Sequence, residues 1–143
     1  MEYFALKFEE LSNQQVYEIL KSRSEVFMLG QGIICQDMDN KDYESLHCFY
    51  MEDRRVVAYL RAFRDSDGAV LVGRVLALNK GVGIGSALMK DAINSIRIGL
   101  PTTTIRAHAQ LRAAGFYDKL GFSRVSDEYL EEGVPHVTME LEI

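Results

Sequence analysis

Three glycines stand two apart, at Gly81, Gly83 and Gly85, in the stretch NKGVGIGSALMKDAI (Asn79–Ile93), and a helical apolar pattern follows at once. Glycine loses more chain freedom on folding than any other residue, so this crowding needs a cause. A strand that ends in glycines and opens a helix is an anion cradle. The first helical N–H groups lack partners, and the helix dipole adds positive charge. With no Cβ atoms in the way, the amides from Val82 to Ser86 can point at a diphosphate. The plainer reading is a turn in which Gly85 caps the helix. Neither common nucleotide loop fits. No Lys-Ser or Lys-Thr follows the glycines, as a P-loop requires. The G-x-G-x-G spacing also puts Leu88 where a dinucleotide fingerprint begun at Gly83 needs its last glycine.

Downstream, QLRAAGFYDKLGF (Gln110–Phe122) carries Tyr117 on a helical stripe with Ala113, Phe116 and Leu120. A phenol next to a departing thiolate can give it a proton, because a free thiol titrates near ~8.5. The same spacing also suits a tyrosine that only packs. Candidate bases for a reacting amine are His47, His108 and Glu44, whereas His136 beside Pro135 suits a turn. Asp37, Asp39 and Asp42 fall in a polar stretch, where they either attract a cationic substrate or solvate a loop. The stretch lacks the glycine and glutamate of a calcium loop. Cys35 and Cys48 have no zinc spacing, so no metal is expected and both read as reduced thiols. An acyl-carrying cysteine is the mechanistic alternative.

The two stretches together resemble the paired signatures of the Gcn5-related N-acetyltransferases (GNAT). Lys80-x-x-Gly83-x-Gly85 is similar to the family's CoA loop, with lysine where glutamine or arginine is usual. Ala113, Phe116, Tyr117, Gly121 and Phe122 fit the second signature, with Gln110 where asparagine is commoner. RSEVFMLGQ (Arg23–Gln31), DMDNKDYESLH (Asp37–His47) and YLEEGVPHVTMEL (Tyr129–Leu141) further resemble the ElaA-like group. Two departures stand out: Gly30 replaces a common glutamate, and Ile33-Ile34-Cys35 replaces a Cys-Pro-Tyr segment.

The resemblance implies an acetyl-CoA-dependent N-acetyltransferase acting on a primary amine by direct transfer in a ternary complex. The alternative is a non-catalytic CoA-binding or protein-interaction module on the same fold. The implied cofactor-binding residues are Lys80, Gly81, Val82, Gly83, Ile84, Gly85, Ser86 and Gln110, with the pantetheine arm pairing along Leu76, Ala77 and Leu78. Tyr117 is implied as acid and His108 as base. Gln31, Asp37, Asp39 and His47 are implied on the acceptor side. The acceptor is a small-molecule or peptide amine, and a homodimer is compatible.

These residues need a scaffold. Strand patterns occur at Tyr3–Phe8, in LHCFYME, VVAYLRAFR and AVLVGRVLAL, at Thr102–Ala109, and in a hairpin about Gly133–Pro135. Ser12 with Gln15 forms a capping-box pattern before a helix. Leu88, Met89, Ala92, Ile93 and Ile96 mark one face of another. Leu29–Ser45 reads as a long loop with a single helical turn. Strand, helix and strand between residues 70 and 109 predict a parallel crossover. The fold class is therefore α/β (mixed α+β): a mostly antiparallel sheet of about six to seven strands flanked by about four helices, in one domain spanning 1–143. A net charge of −5 without a basic run argues against nucleic acid. No apolar run reaches the roughly 20 residues of a membrane span. The N-terminal stretch does not read as a secretory signal, so a cytoplasmic location is expected.

Overall fold

The computed structural model describes residues 1–33 and 35–143, so the departure at Ile34 lies outside the described residues. The strands are β1 (Glu2–Lys7), β2 (Leu46–Glu52), β3 (Arg55–Arg64), β4 (Val70–Ala77), β5 (Thr104–Gln110), β6 (Ser123–Arg124), β7 (Tyr129–Glu131) and β8 (Val134–Glu142). The α-helices are α1 (Asn13–Arg23), α2 (Ile84–Gly99) and α3 (Ala114–Lys119). One sheet runs in the order β1-β2-β3-β4-β5-β8-β6, and β7 also pairs with β8. Only β4 and β5 are parallel, because α2 carries the chain across between them. The other neighbours are antiparallel.

Local chemistry explains the element ends. Ser12 caps α1, its Oγ accepting from the Gln15 N–H while the Gln15 side chain accepts from the Ser12 N–H. Asp53 and Arg54 both take positive φ, the geometry of a two-residue hairpin turn between β2 and β3. Glu132 and Gly133 do the same between β7 and β8.

The core lies on both faces of the sheet. Leu88, Met89, Ala92 and Ile96 of α2 are buried against Leu60, Ala62, Val70 and Val72. On the other face Ile19 of α1 packs with Phe49, Val56, Tyr59 and Leu76. Val70 and Val72 therefore belong to the α2 side, yet Leu76, an even number of residues further on, belongs to the α1 side. A bulge in β4 causes the inversion. Arg61 pairs with Gly73 but Tyr59 pairs with Leu76, so β4 carries one residue more than β3. Arg74 sits in this bulge with φ of 50°. A non-glycine residue held there costs on the order of 1–3 kcal/mol, so other interactions must hold it in place.

The bulge also ends the parallel ladder. β4 and β5 pair only from Val70–Ile105 to Val72–Ala107, and beyond that point the two strands part. The β5-facing edge of β4 after Gly73 is thus left open in the middle of the sheet.

The element count departs from the sequence expectation in two places. The first arm of the final hairpin is divided into β6 and β7, although Val125 still donates to the Thr138 carbonyl and Ser126 Oγ still accepts from the Thr138 N–H, both at 2.9 Å. The pattern after α1 is not α-helical: Ser24–Gly30 winds as a π-helix. Eight strands and three α-helices result among the described residues.

Candidate active site

A cleft of about 730 Å³ opens where β4 and β5 part. Its wall draws on β4, β5, α3, the segment Val26–Asp39 and the β7–β8 turn. At one end it reaches Lys80 and Gly85. Gly83, not Gly85, is the helix N-cap. It takes φ of 78°, and its carbonyl accepts the first helical bond, from the Ala87 N–H at 3.1 Å. No side chain caps the helix, so the N–H groups of Ile84, Gly85 and Ser86 have no partner among the described residues. Gly85 has a different reason to be glycine: a Cβ there would lie 3.2 Å from Phe116 Cε1. Gly81 and Val82 are exposed in the loop before the helix.

Leu76 and Ala77 line the cleft along the open edge. Leu78 is outside the lining, and its N–H is given to the Val57 carbonyl at 2.8 Å.

Tyr117 is 6% exposed and lines the cleft. Its ring stands edge-on between Phe116 and Phe122. Burial pushes the phenol up to about 12, and no hydrogen bond to its hydroxyl contributes. At neutral pH it is a proton donor without a partner. His108 projects from β5 into the cleft, with Nδ1 at 3.0 Å from the Tyr129 hydroxyl and 3.2 Å from Thr138 Oγ1. Its Nε2 is left free among the described residues. Gln110, expected on the cofactor side, and Gln31, expected on the acceptor side, meet directly: Gln110 Nε2 donates to Gln31 Oε1 at 3.0 Å.

The aspartates correct the sequence reading. Asp37 and Asp39 border the cleft, but neither is free to attract a cation. Arg23 donates through Nε to Asp37 Oδ2 at 2.9 Å and through Nη1 to Asp42 Oδ1 at 2.7 Å. Arg61 holds both oxygens of Asp39, at 2.7 and 2.6 Å, and also reaches Asp42. Arg74 Nε donates to the second oxygen of Asp37 at 2.8 Å. Three arginines neutralise three aspartates. Arg61 in particular holds Asp39 far below the usual carboxylate range, against the opposing effect of burial. For Asp42 burial pushes upward, but Arg23 and Arg61 together outweigh it and the net direction is down.

His47 is also corrected. It is 2% exposed and does not border the cleft. Its Nε2 lies 2.9 Å from the Asp42 carbonyl, which can only accept, so Nε2 carries the hydrogen. Nδ1 then accepts from the Tyr59 hydroxyl at 2.8 Å. Burial lowers its pKa, and the two partners hold it as a neutral histidine away from the cleft. Glu44 is exposed beside Lys41 and outside the cleft lining. His136 lines the cleft but gives Nδ1 to the Val134 carbonyl, as a turn residue does.

Arg61 and Arg74 were missed by sequence reasoning. The usable signal was a lone arginine inside each of two apolar strands, since a buried guanidinium demands carboxylate partners.

The GNAT acetyltransferase domain model matches residues 9–143. The chain is 30% identical to Protein ElaA of Escherichia coli (strain K12), over all of this chain and 97% of that one. The crystal structure of Escherichia coli ElaA superimposes with a TM-score of 0.92, covering 99% of this chain and 100% of that one. The chain belongs to the GNAT acetyltransferase family, in its ElaA-like group. An acyl-CoA N-acyltransferase from Pseudomonas aeruginosa is also similar, at 28% identity and a TM-score of 0.89 over 98% of this chain and 99% of that one. The GNAT fold implies CoA binding and acyl transfer, and the open strand edge with an uncapped helix N-terminus fits such a group. No helix among the described residues is long and apolar enough to cross a membrane.

Two predictions follow from this geometry. Gly83→Val forces a β-branched residue to positive φ, so it should weaken CoA binding severely and lower stability by about 1–2 kcal/mol. Lys80→Ala should change CoA affinity by less than about threefold if the cradle is made of backbone N–H groups. Calorimetric titration of CoA into each variant decides this, and a larger loss in Lys80→Ala would assign the phosphate to its side chain. The second concerns pH. His47 is neutral when folded, so its contribution is full above an unfolded value near ~6.5 and is lost as pH falls. Asp39 and Asp42 contribute fully above about 4 and lose their contribution below it. Denaturant midpoints measured from pH 8 to 3 should decline gently first and then steeply. A flat profile down to pH 4 would remove His47 from the account.

Proposed function

We propose that this chain transfers an acetyl group from acetyl-CoA to a primary amine, with both substrates bound at once. Tyr117 carries the reading: a buried phenol, with no hydrogen-bond partner among the described residues, in the wall of a cleft. Acetyl-CoA supplies an acyl group activated as a thioester. The free N–H groups of Ile84, Gly85 and Ser86 suit its diphosphate, and the open edge of β4 at Leu76 and Ala77 suits its amide-bearing arm.

The residues then divide the proton work. His108 Nε2 accepts the proton that the amine gives up as its nitrogen bonds to the carbonyl carbon. Tyr117 gives its proton to the sulfur as the carbon–sulfur bond breaks, and regains one from solvent. The sulfur leaves as a neutral thiol, and the products are an amide and CoA.

Direct transfer is favoured over an acyl-cysteine. Cys48 is fully buried outside the cleft lining, and burial pushes its thiol up to about 12. Cys35 does border the cleft. Under direct transfer Cys35→Ser should retain turnover, and its loss would revive the covalent route.

The direct test is release of CoA thiol from acetyl-CoA across polyamines, aminoglycosides, amino acids and peptide N-termini. With an amine that turns over, Tyr117→Phe should lower kcat about 100-fold while CoA affinity stays within about twofold. Wild-type turnover in that variant would sink the assignment of the acid. Tight CoA binding without turnover on any amine would favour a non-catalytic module.

A further inference from the structure

One member of the arginine–aspartate network contacts only aspartates that the other two already hold. Arg23 comes from α1 and is fully buried, and Arg61 comes from β3 and is 4% exposed. Between them they already contact all three aspartates. Arg74 is added from β4, and it stands where the backbone is least suited to a side chain, at φ of 50°. The adjacent Gly73 has no positive φ. A sequence chosen for backbone comfort would put the glycine at position 74. Positive-φ outliers of this kind cluster at working sites because the surrounding structure holds them there.

The side chain of Arg74 has a definite task. Its Nε donates to Asp37 Oδ1 at 2.8 Å, and its Nη2 donates to the Asp37 carbonyl at 3.0 Å. Nη2 also lies 3.5 Å from Asp39 Oδ2. Arg74 thus ties the bulge, where β4 parts from β5, to the segment that brings Gln31, Cys35 and Asp37 to the cleft. Arg23 and Arg61 tie that segment to the core, and among the described residues Arg74 is the side chain that ties it to the open strand.

We propose that Arg74 is a positioning residue that clamps the Gln31–Asp39 segment onto the acyl-CoA strand and so shapes the acceptor half of the cleft. The proposal rests on the acyl-transfer reading for the words acyl-CoA and acceptor. Its structural content, a clamp across the cleft, stands without it.

Cys35 is a built-in reporter, because it lies within the clamped segment while Cys48 is fully buried. Arg74→Gly removes the clamp and relaxes the backbone at the same time. Its thermal midpoint should equal or exceed that of the wild type, yet Cys35 should react with iodoacetamide about fivefold faster, the factor expected for about one lost ion pair. CoA affinity should stay within about twofold, because the cradle is untouched. With any amine that turns over, the acceptor KM should rise about tenfold and the acetyl-CoA KM should hardly move. Arg74→Lys keeps the charge but loses the fork, and it should fall between wild type and Arg74→Gly in both labelling and acceptor KM. A merely structural role would instead lower the thermal midpoint and raise both KM values together. Labelling of Arg74→Gly at the wild-type rate would overturn the clamp. Labelling needs no turnover, so an inactive wild type would count against acyl transfer while labelling still decides the clamp.

Discussion

One extra residue in β4 sets the geometry of the whole site. A regular strand would keep β4 paired to β5 along its length, and its side chains would alternate without interruption. The bulge at Gly73–Arg74 breaks both regularities. It moves Leu76 to the α1 face and ends the parallel ladder at Val72–Ala107. Main-chain groups in mid-sheet would ordinarily be costly to leave unpaired, because each lost partner in a buried setting costs free energy. Here they border a cleft open to solvent, where water can reach them. The crossover through α2 then aims a second set of free amides at the same cleft. An unpaired strand edge and an uncapped helix end are both weaknesses in a purely structural protein. Placed together, they leave main-chain groups of a strand edge and of a helix end available at one cleft.

The charges obey a related constraint. A buried guanidinium is tolerable only when its hydrogens and its charge are both met. Arg23 meets this requirement fully, through two carboxylates and a main-chain carbonyl. The carboxylates in turn belong to a segment with little regular structure, so the arginines do for that segment what a sheet ladder does for a strand. The network is neutral overall, and it presents order to the cleft without a strong field. Outside this network, Glu131 and Glu132 at the β7–β8 turn are carboxylates that border the cleft. His47 belongs to this scaffold too, holding the Asp42 carbonyl on one side and the Tyr59 hydroxyl on the other.

The sequence was most legible where one residue type answers to one local cause. Ser12 with Gln15, the apolar face of α2 and the parallel crossover all follow from short-range rules, and the structure has them. The glycine loop announced a helix start, but sequence could not apportion its glycines. Gly83 serves backbone conformation, whereas Gly85 serves the approach of Phe116. Other readings stayed open for a physical reason. For Asp37 and Asp39, substrate attraction and loop solvation could not be told apart because their partners lie far along the chain. Asp37 and Arg74 are 37 residues apart, and Asp39 and Arg61 are 22. Polar groups in a loop advertise chemistry equally well whether they are free or paired, and only the fold distinguishes the two. The bulge was hidden for a similar reason, since AVLVGRVLAL is apolar on both faces and carries no alternation to disturb.

The replacement at Gly30 can be understood in the same terms. The segment after α1 winds as a π-helix over Ser24–Gly30, a form found mostly in short pieces at functional sites. Its wider turn brings the residue at position 30 close to the carbonyl of Glu25, and a Cβ there would lie 3.1 Å from that oxygen. Such a contact is tight, and glycine relieves it. Glu25 is fixed from outside by Arg55, whose Nη2 donates to both carboxylate oxygens at 2.9 and 2.7 Å. The turn therefore closes between an anchored glutamate and an unobstructed glycine. Val26, Phe27 and Gln31 are carried to the cleft wall by that closure. A glutamate at position 30, usual in the ElaA-like group, would have to move the Glu25 carbonyl or open the turn. The substitution thus reads as a change in how the acceptor-side wall is wound, and only secondarily as the loss of a charge.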